Sequence, residues 1–205
     1  MVKISLTRSI AQLIASWLNR YTQKEGLALE KMTIGIEIFL NNISKLIVVY
    51  VLAIVLGVIW QTLAVNIAFM VIKRCSFGVH ALSNTVCTLV CVVAFVAVPW
   101  FTYGMGIGNI AVACIFAYVI AVLYRYAPAD TKRRPLVGVN TRARLKRNAV
   151  ISGLVLMGAA LLIPDGSIKL MLALGAVFQT VAILPITYKI LKRSEKNYEK
   201  YELAK

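Results

Sequence analysis

Long apolar runs, separated by short polar or basic segments, recur along most of this chain. Of its 205 residues, 60% are hydrophobic, which is more than a soluble domain needs for its core. Runs of this length match the hydrocarbon thickness of a bilayer, where backbone polar groups must be satisfied within a helix. The sequence therefore predicts an all-α fold, a polytopic helical bundle that crosses a membrane several times.

Hydropathy predicts about six transmembrane helices, preceded by an amphipathic region at residues 1–31. Ile10, Leu13, Trp17 and Tyr21 recur there at helical spacing, so a helix would lie in the headgroup plane or pack on the protein's own surface. The predicted spans are residues 32–60, 61–72, 81–98, 105–123, 148–163 and 168–190. The second run corresponds to only about 18 Å of helix, so we expect it to be short or re-entrant.

The distribution of basic residues predicts the orientation of these spans. Of the 23 Lys and Arg residues, 21 lie in residues 1–31, 73–80, 125–147 and 189–205, all on one side of the membrane if there are six spans. By the positive-inside rule that side is the cytosol, so both termini and the segment 73–87 are expected there. The predicted organisation is an interfacial region 1–31, one transmembrane domain 32–191 and a charged cytosolic tail 192–205. The net charge of +15 then suits anionic lipids rather than nucleic acid.

A polar segment between two apolar runs contains the chain's only histidine, His80, and a cysteine seven residues later, Cys87. On one continuous helix these residues would be about 10.5 Å apart, too far for the imidazole to take the thiol proton. Gly78 can break the helix before the histidine, and Ser83 and Asn84 are good N-cap residues for a new one. A helix that begins there would place Cys87 near its N-terminus, which favours the thiolate.

Two other interpretations of this segment stay open. The histidine could be an interfacial anchor and the cysteine a small membrane-helix residue, or His80 could bind a metal with Cys75, Cys87 and Cys91. The metal interpretation lacks a clear fourth ligand and the paired spacing of zinc sites, so we expect no metal and no cofactor. Arg74 adds positive potential that favours a thiolate instead.

The first predicted span carries a polar stripe. Glu37, Asn41, Ser44 and Lys45 share one face of a helix, with Asn42 beside them. Ionisable groups are costly in hydrocarbon, so they normally face the bundle interior or water and have partners. Glu37 could orient an imidazole or bind a substrate amine; alternatively, the stripe is an interhelical hydrogen-bond patch from which Lys45 reaches the headgroups.

Residues 125–147 are predicted to form a basic loop that is stiffened by two prolines. This loop could grip an acidic peptide, or its charge could only set the topology. The candidate substrate-binding residues in it are Asp130, Lys132, Arg133 and Arg134. The glycine-rich run 104–108 is expected to be a flexible turn or a point of close helix packing, not a phosphate loop.

Four motifs resemble the AgrB family, accessory gene regulator protein B of Gram-positive quorum-sensing systems. They are Asn42-Ile-Ser-Lys-Leu46, Arg74-x-x-x-Gly-x-His80-Ala-x-x-x-x-x-Cys87, Tyr126-Ala-Pro-Ala-Asp-Thr-Lys132 followed by Pro135, and Leu184-Pro185. The resemblance covers nearly the whole chain. Its specific part is the Arg/Gly/His/Cys spacing combined with the Ala-Pro loop.

The resemblance implies a cysteine endopeptidase in the bacterial cell membrane. Such an enzyme cuts the C-terminal part off an AgrD-type propeptide, leading to a cyclic thiolactone or lactone autoinducing peptide. It also implies roles for individual residues: His80 and Cys87 as catalytic pair, Arg74 and Gly78 as supporting residues, and Lys132, Arg133 and Arg134 as the basic residues after the Ala-Pro turn. The expected partners are the propeptide, anionic lipids and, in a homodimer, a second copy. The rival class is a transporter or exporter of a small peptide without peptidase chemistry.

Overall fold

The computed structural model describes residues 6–79, 84–131, 136, 138–192, 194, 197 and 199, and their regular structure is helical. The helices in these residues are α1 (Leu6–Thr22), α2 (Gly26–Val55), α3 (Ile59–Ser76), α4 (Asn84–Val92), α5 (Val98–Phe101), α6 (Asn109–Tyr126), α7 (Val139–Leu162), α8 (Gly166–Ile183) and α9 (Pro185–Ile190). A π-helical segment, Val93–Ala97, joins α4 to α5. The predicted all-α fold is confirmed.

The first of two compact units, residues 1–51, contains α1 and all but the last turn of α2. Helix α1 is amphipathic, as predicted: Ala11 and Ala15 are buried, whereas Leu13 and Trp17 are exposed. Helix α2 begins at Gly26, earlier than the predicted residue 32, because the left-handed turn that separates it from α1 ends there.

In the second unit, residues 52–205, α3 packs against α7 and α8, and α6 packs against the same two helices. The closest approach is at Gly175 on α8, where an added Cβ would lie 2.8 Å from the Cβ of Ala68 and 3.1 Å from the backbone nitrogen of Phe69. Small residues at such crossings let helix backbones meet without large side chains between them, which is the usual packing within membranes. Phe116 and Leu123 of α6 are fully buried in the same core.

Five stretches among the described residues are long and apolar enough to cross a membrane: Gly26–Val55, Asn84–Phe101, Asn109–Tyr126, Val139–Leu162 and Gly166–Ile183. Helix α3 corresponds to the second predicted span, residues 61–72. It has 18 residues, about 27 Å, rather than the dozen expected from its apolar run. Its polar residues lower its hydropathy. One of them, Thr62, is fully buried, and its hydroxyl donates to the carbonyl oxygen of Phe95 at 2.6 Å. The chain is a multi-pass helical membrane protein.

Two further predicted boundaries are wrong. Residues 125–147 are not all loop, because α6 continues to Tyr126 and α7 begins at Val139. The basic residues of 142–147 therefore lie on a helix, where Arg and Lys have good propensity. The last span ends at Ile183 and not at residue 190, because Leu184 is extended before Pro185, and the proline ring restricts the residue before it.

The glycine-rich run is a point of close packing, as one of its two interpretations predicted. An added Cβ at Gly106 would lie 3.2 Å from the Cα of Gly166, and the Ile107 N–H donates to the Gly166 carbonyl at 3.1 Å. Beside this contact, Lys169 is buried and its ammonium donates to the side-chain oxygen of Asn109. This turn therefore joins the start of α6 to the start of α8.

Candidate active site

Cys87 lies in the first turn of α4, since the helix begins at Asn84 and Cys87 is its fourth residue. The preceding helix, α3, ends at Ser76, so the chain is not one continuous helix between the two elements. The expected break in the helix between the two apolar runs is therefore present, at residues 77–79. The N–H groups of a first helical turn carry partial positive charge, which stabilises a thiolate there. His80 and Ser83 lie outside the described residues.

The segment after α3 is held by backbone hydrogen bonds to two distant parts of the chain. The Gly78 N–H donates to the carbonyl oxygen of Ala129 at 3.2 Å, and the Val79 N–H donates to that of Ala182 at 3.1 Å. In return, the Ala129 N–H donates to the carbonyl oxygen of Ser76 at 2.9 Å. The two residues before His80 are therefore fixed between the end of α8 and the turn after α6.

Gly78 is required at its position for two reasons. Its φ is +117°, a backbone conformation that residues with a Cβ rarely adopt. An added Cβ would also lie 3.1 Å from the Ala182 carbonyl oxygen and 3.2 Å from Cγ2 of Ile183. The geometry of this segment therefore favours glycine at position 78.

Gln179, on α8, is fully buried behind this segment. Its Nε2 donates to the hydroxyl oxygen of Ser76 at 2.8 Å and to the carbonyl oxygen of Phe77. Its other polar atom, Oε1, has no hydrogen-bond partner among the described residues. Gln179 was not among the residues predicted from the sequence, although a glutamine inside an otherwise apolar span often marks a functional or structural contact.

Asp130 lies in the turn after α6, next to the cis peptide bond Ala127–Pro128, and is only 4% exposed. The Tyr188 hydroxyl donates to its carbonyl oxygen at 2.9 Å, and Nδ2 of Asn197 donates to Oδ1 at 3.5 Å. Among the described residues, these contacts give Asp130 a role in holding the turn. The three other predicted substrate-binding residues, Lys132, Arg133 and Arg134, lie outside the described residues.

Arg74, near the end of α3, lines a cavity of about 470 Å³ between α3 and α7. The other lining residues are Val71, Cys75, Asn148, Ile151 and Ser152. Both walls are therefore mixed: Val71 and Ile151 are apolar, and the guanidinium and the Asn148 and Ser152 side chains supply polarity. A site of this composition suits an acidic or polar group that enters beside an apolar one.

The polar stripe of the first unit is on α2, as predicted. Glu37, Asn41 and Lys45 are half-buried, and Asn42 and Ser44 are exposed. The Ser44 hydroxyl donates to the carbonyl oxygen of Leu40, one turn back in the same helix. The stripe therefore exists on one helix face.

All four cysteines fall in the part of the chain that the structure describes, and none of them forms a disulfide. Cys75, Cys87 and Cys91 are half-buried, whereas Cys114 on α6 is exposed. Within the described residues, no group of three or more His, Cys, Asp or Glu side chains could hold a metal ion. Cys87 is distinguished from the other three by its place in the first turn of a helix.

The fold and this site define a class of protein, a multi-pass helical membrane protein with a thiol near the start of a helix. The segment before that helix contains Gly78 at a positive φ, and its backbone is hydrogen-bonded to other parts of the chain. The sequence profile of the family Accessory gene regulator B matches residues 7–183. The chain therefore belongs to the Accessory gene regulator B (AgrB) family, and this membership gives it a role in agr quorum sensing.

Individual relatives are similar over nearly their whole length. A "Putative AgrB-like protein" of Listeria innocua is 38% identical over 200 residues, 98% of this chain and 97% of the relative. A protein of the same description from Clostridium acetobutylicum is also 38% identical, over 98% of this chain and 96% of its own. The "Accessory gene regulator protein B" of Staphylococcus lugdunensis is 26% identical over 85% of this chain and 92% of its own. No solved structure matches the chain.

Proposed function

We propose that this protein is a cysteine endopeptidase of the bacterial cell membrane, with Cys87 as nucleophile and His80 as general base and acid. The observation that carries the proposal is the start of α4 at Asn84, which puts Cys87 in a first helical turn and separates it from the segment that leads to His80. Family membership supports an AgrD-type propeptide as substrate.

The reaction begins when His80 takes the thiol proton and the Cys87 thiolate attacks the carbonyl carbon of the scissile peptide bond. The C–N bond breaks, the imidazolium protonates the leaving amine, and a thioester joins the substrate to Cys87. A thiol or hydroxyl of the bound substrate then gives its proton to His80 and attacks the thioester carbonyl. Cys87 leaves as thiolate, and a cyclic thiolactone or lactone is formed. Water must be excluded until the ring closes, because hydrolysis would consume the thioester.

The substrate would be held by positive charge on the predicted cytosolic side. Arg74 lines a cavity next to the catalytic segment, and Arg144 and Arg147 are exposed on α7, near the basic residues Lys132, Arg133 and Arg134 in sequence. These groups suit an acidic peptide segment at a surface of anionic lipids. In this proposal both termini and the active site face the cytosol, and α3 crosses the membrane in addition to the five long apolar helices. The polar residues Glu37, Asn41, Asn42 and Lys45 of α2 are supporting residues.

The test is incubation of the purified protein in lipid vesicles with the propeptide encoded beside its gene, followed by mass spectrometry. The unmodified protein should release the C-terminal fragment, and Cys87→Ala and His80→Ala should not. Cys114→Ala is the matched control and should remain active, because that cysteine is exposed on α6. Release of the fragment by either active-site variant would disprove the mechanism. Transport of uncleaved peptide by all variants alike would favour an exporter instead.

A further inference from the structure

The span that carries Cys87 is packed into the protein along only part of its length. It runs from Asn84 to Phe101 through α4, the π-helical segment and α5. None of the nine residues of α4, all of which the structure describes, is buried. By contrast, Phe95 and Val96 of the π-helical segment are buried. The direction of α4, and with it the position of Cys87, therefore depends strongly on how the π-helical segment is held.

A proline deprives the π-helical segment of one internal hydrogen bond. Pro99 has no N–H, so it cannot donate to the carbonyl oxygen of Phe95, four residues earlier, as a residue of a regular helix does. Helices bend at prolines and at π-helical turns of this kind. The hydroxyl of Thr62, on α3, donates to the Phe95 carbonyl oxygen at 2.6 Å. The hydrogen bond that Pro99 cannot make is thus supplied by a different helix.

This contact is buried and directional. Thr62 is fully buried, and within a membrane no water is available to replace its hydroxyl. The ring of Phe95 packs edge to face with Phe69 of α3 and Phe178 of α8, at 5.0 and 6.4 Å between ring centroids. Apolar packing is non-directional and fixes mainly where the segment lies, whereas a hydrogen bond also fixes which way the carbonyl group points. The Thr62 hydroxyl therefore constrains the orientation of the helix at Phe95.

A small change of orientation at Phe95 has a large effect at Cys87. Cys87 lies eight residues before Phe95, which corresponds to about 12 Å along a helix axis. A tilt of about 10° at Phe95 would therefore displace Cys87 by about 2 Å. Misplacement of a reacting group by about 1 Å can slow a reaction about 100-fold. A reaction at Cys87 would thus be sensitive to the hydrogen bond made by Thr62.

We propose that Thr62 is a positioning residue for Cys87: its hydrogen bond to the Phe95 carbonyl oxygen fixes the direction in which α4 extends from the π-helical segment. The inference rests on the catalytic role proposed for Cys87. Without the hydroxyl, α4 would tilt about the π-helical segment, and the thiol would occupy several positions. The rest of the core would stay in place, because α3, α6, α7 and α8 pack against one another independently of α4.

The direction of α4 can be measured without a substrate. In the full-length protein in lipid nanodiscs, the four cysteines are replaced by alanine, and spin labels are attached to Val86→Cys on α4 and Leu162→Cys on α7. Both positions are exposed. Double electron–electron resonance then gives the distribution of distances between the two labels.

Three variants are compared in this labelled protein. Thr62→Val removes the hydroxyl but keeps the shape of the side chain, and Thr62→Ser keeps the hydroxyl. Thr180→Val is the matched control, because Thr180 is also fully buried but its hydroxyl donates to the carbonyl oxygen of Val177 in its own helix, at 2.7 Å. Any general loss of stability from removing a buried hydroxyl should therefore affect the control as well.

We expect one narrow distance distribution for the labelled protein, for Thr62→Ser and for Thr180→Val. Thr62→Val should shift or broaden the distribution by about 2 Å, the displacement that a small tilt of α4 produces. An unchanged distribution in Thr62→Val would overturn the proposal. Equal broadening in Thr180→Val would overturn it too, because the effect would then come from lost stability.

Propeptide cleavage by the protein with its native cysteines provides a second readout. Thr62→Val should lower kcat about tenfold or more with KM little changed, because the thiol is misplaced for the chemical step. Thr62→Ser and Thr180→Val should keep kcat within about threefold of the unmodified protein. A shifted distribution with an unchanged kcat, or an equal loss in Thr180→Val, would contradict a positioning role. The resonance measurement does not depend on cleavage, so it distinguishes failure of this inference from failure of the proposed peptidase activity.

Discussion

The backbone N–H of Val79 donates a hydrogen bond to the carbonyl oxygen of Ala182 at 3.1 Å, which ties the residue before His80 to the end of α8. The same oxygen lies 3.1 Å from the position that a Cβ on Gly78 would occupy. The positions of Gly78 and Val79 thus both depend on contact with Ala182 at the end of α8. A substitution that disturbs either contact would move the backbone that leads to His80.

Gly78→Ala should strongly reduce propeptide cleavage. The new methyl group would meet Ala182 and Ile183, and a left-handed backbone costs a residue with a Cβ about 1–2 kcal/mol. We expect cleavage to fall by at least about tenfold, measured as the initial rate of fragment release. Gly57→Ala is the control, because its φ is also positive at +69° but nothing lies within 4 Å of the added Cβ. Equal losses in both variants would show that backbone strain, not contact with α8, is responsible.

Gly175→Ala should destabilise the second unit. The added Cβ would stand 2.8 Å from that of Ala68 and 3.1 Å from the Phe69 nitrogen, so α3 and α8 would have to separate. Overpacking of this kind typically costs about 1–3 kcal/mol, and thermal unfolding in detergent should show a lower midpoint. Gly158→Ala on α7, where nothing lies within 4 Å, should unfold at the same temperature or higher. An unchanged midpoint for Gly175→Ala would contradict the close helix contact.

Cys87 should react with a small alkylating reagent faster than Cys114 at neutral pH. The first helical turn stabilises the thiolate, which is the reactive form, whereas Cys114 is exposed on α6 without such stabilisation. Single-cysteine variants labelled over time in lipid and analysed by mass spectrometry would give the two rates. Faster labelling of the more exposed Cys114 would show that accessibility, not thiolate character, governs reactivity here.

Arg74→Glu should weaken propeptide binding more than it slows the chemical step. The guanidinium lines the cavity between α3 and α7, so charge reversal would repel an acidic substrate segment there. We expect KM to rise about tenfold or more, with part of the loss restored by a propeptide in which an acidic residue is replaced by lysine. Lys189→Glu, an exposed residue of α9, makes the same change in net charge and should have little effect. The same KM in both variants would show that Arg74 does not contact the substrate.

Much of the candidate site could be predicted from local sequence signals. The polar break and two good capping residues predict that the helix is interrupted between the two apolar runs, and α3 does end at Ser76, before α4 (Asn84–Val92). The need for a glycine at position 78 is also visible locally, because a helix must end before His80. These signals succeed because helix ends and backbone conformations depend on a few neighbouring residues.

The extent of the helices was predicted less well. The basic stretch before residue 148 was assigned to a loop because hydropathy cannot distinguish a polar loop from the polar end of a helix. The buried environment of Asp130 was missed as well, since its partners Tyr188 and Asn197 lie about 60 residues further along the chain. Charge alone suggested a residue that contacts substrate.

The sequence by itself determined that this protein is a helical membrane bundle of the AgrB family with a thiol and an imidazole around one polar break. Apolar runs, basic segments and motif spacing are enough for that, because the bilayer imposes strict local rules on composition. Only the tertiary structure decided what holds the break in place: backbone bonds from Gly78 and Val79 to Ala129 and Ala182, and the amide of Gln179. These contacts join residues far apart in the chain, so they arise from how α3, α6 and α8 pack and leave no local pattern to recognise.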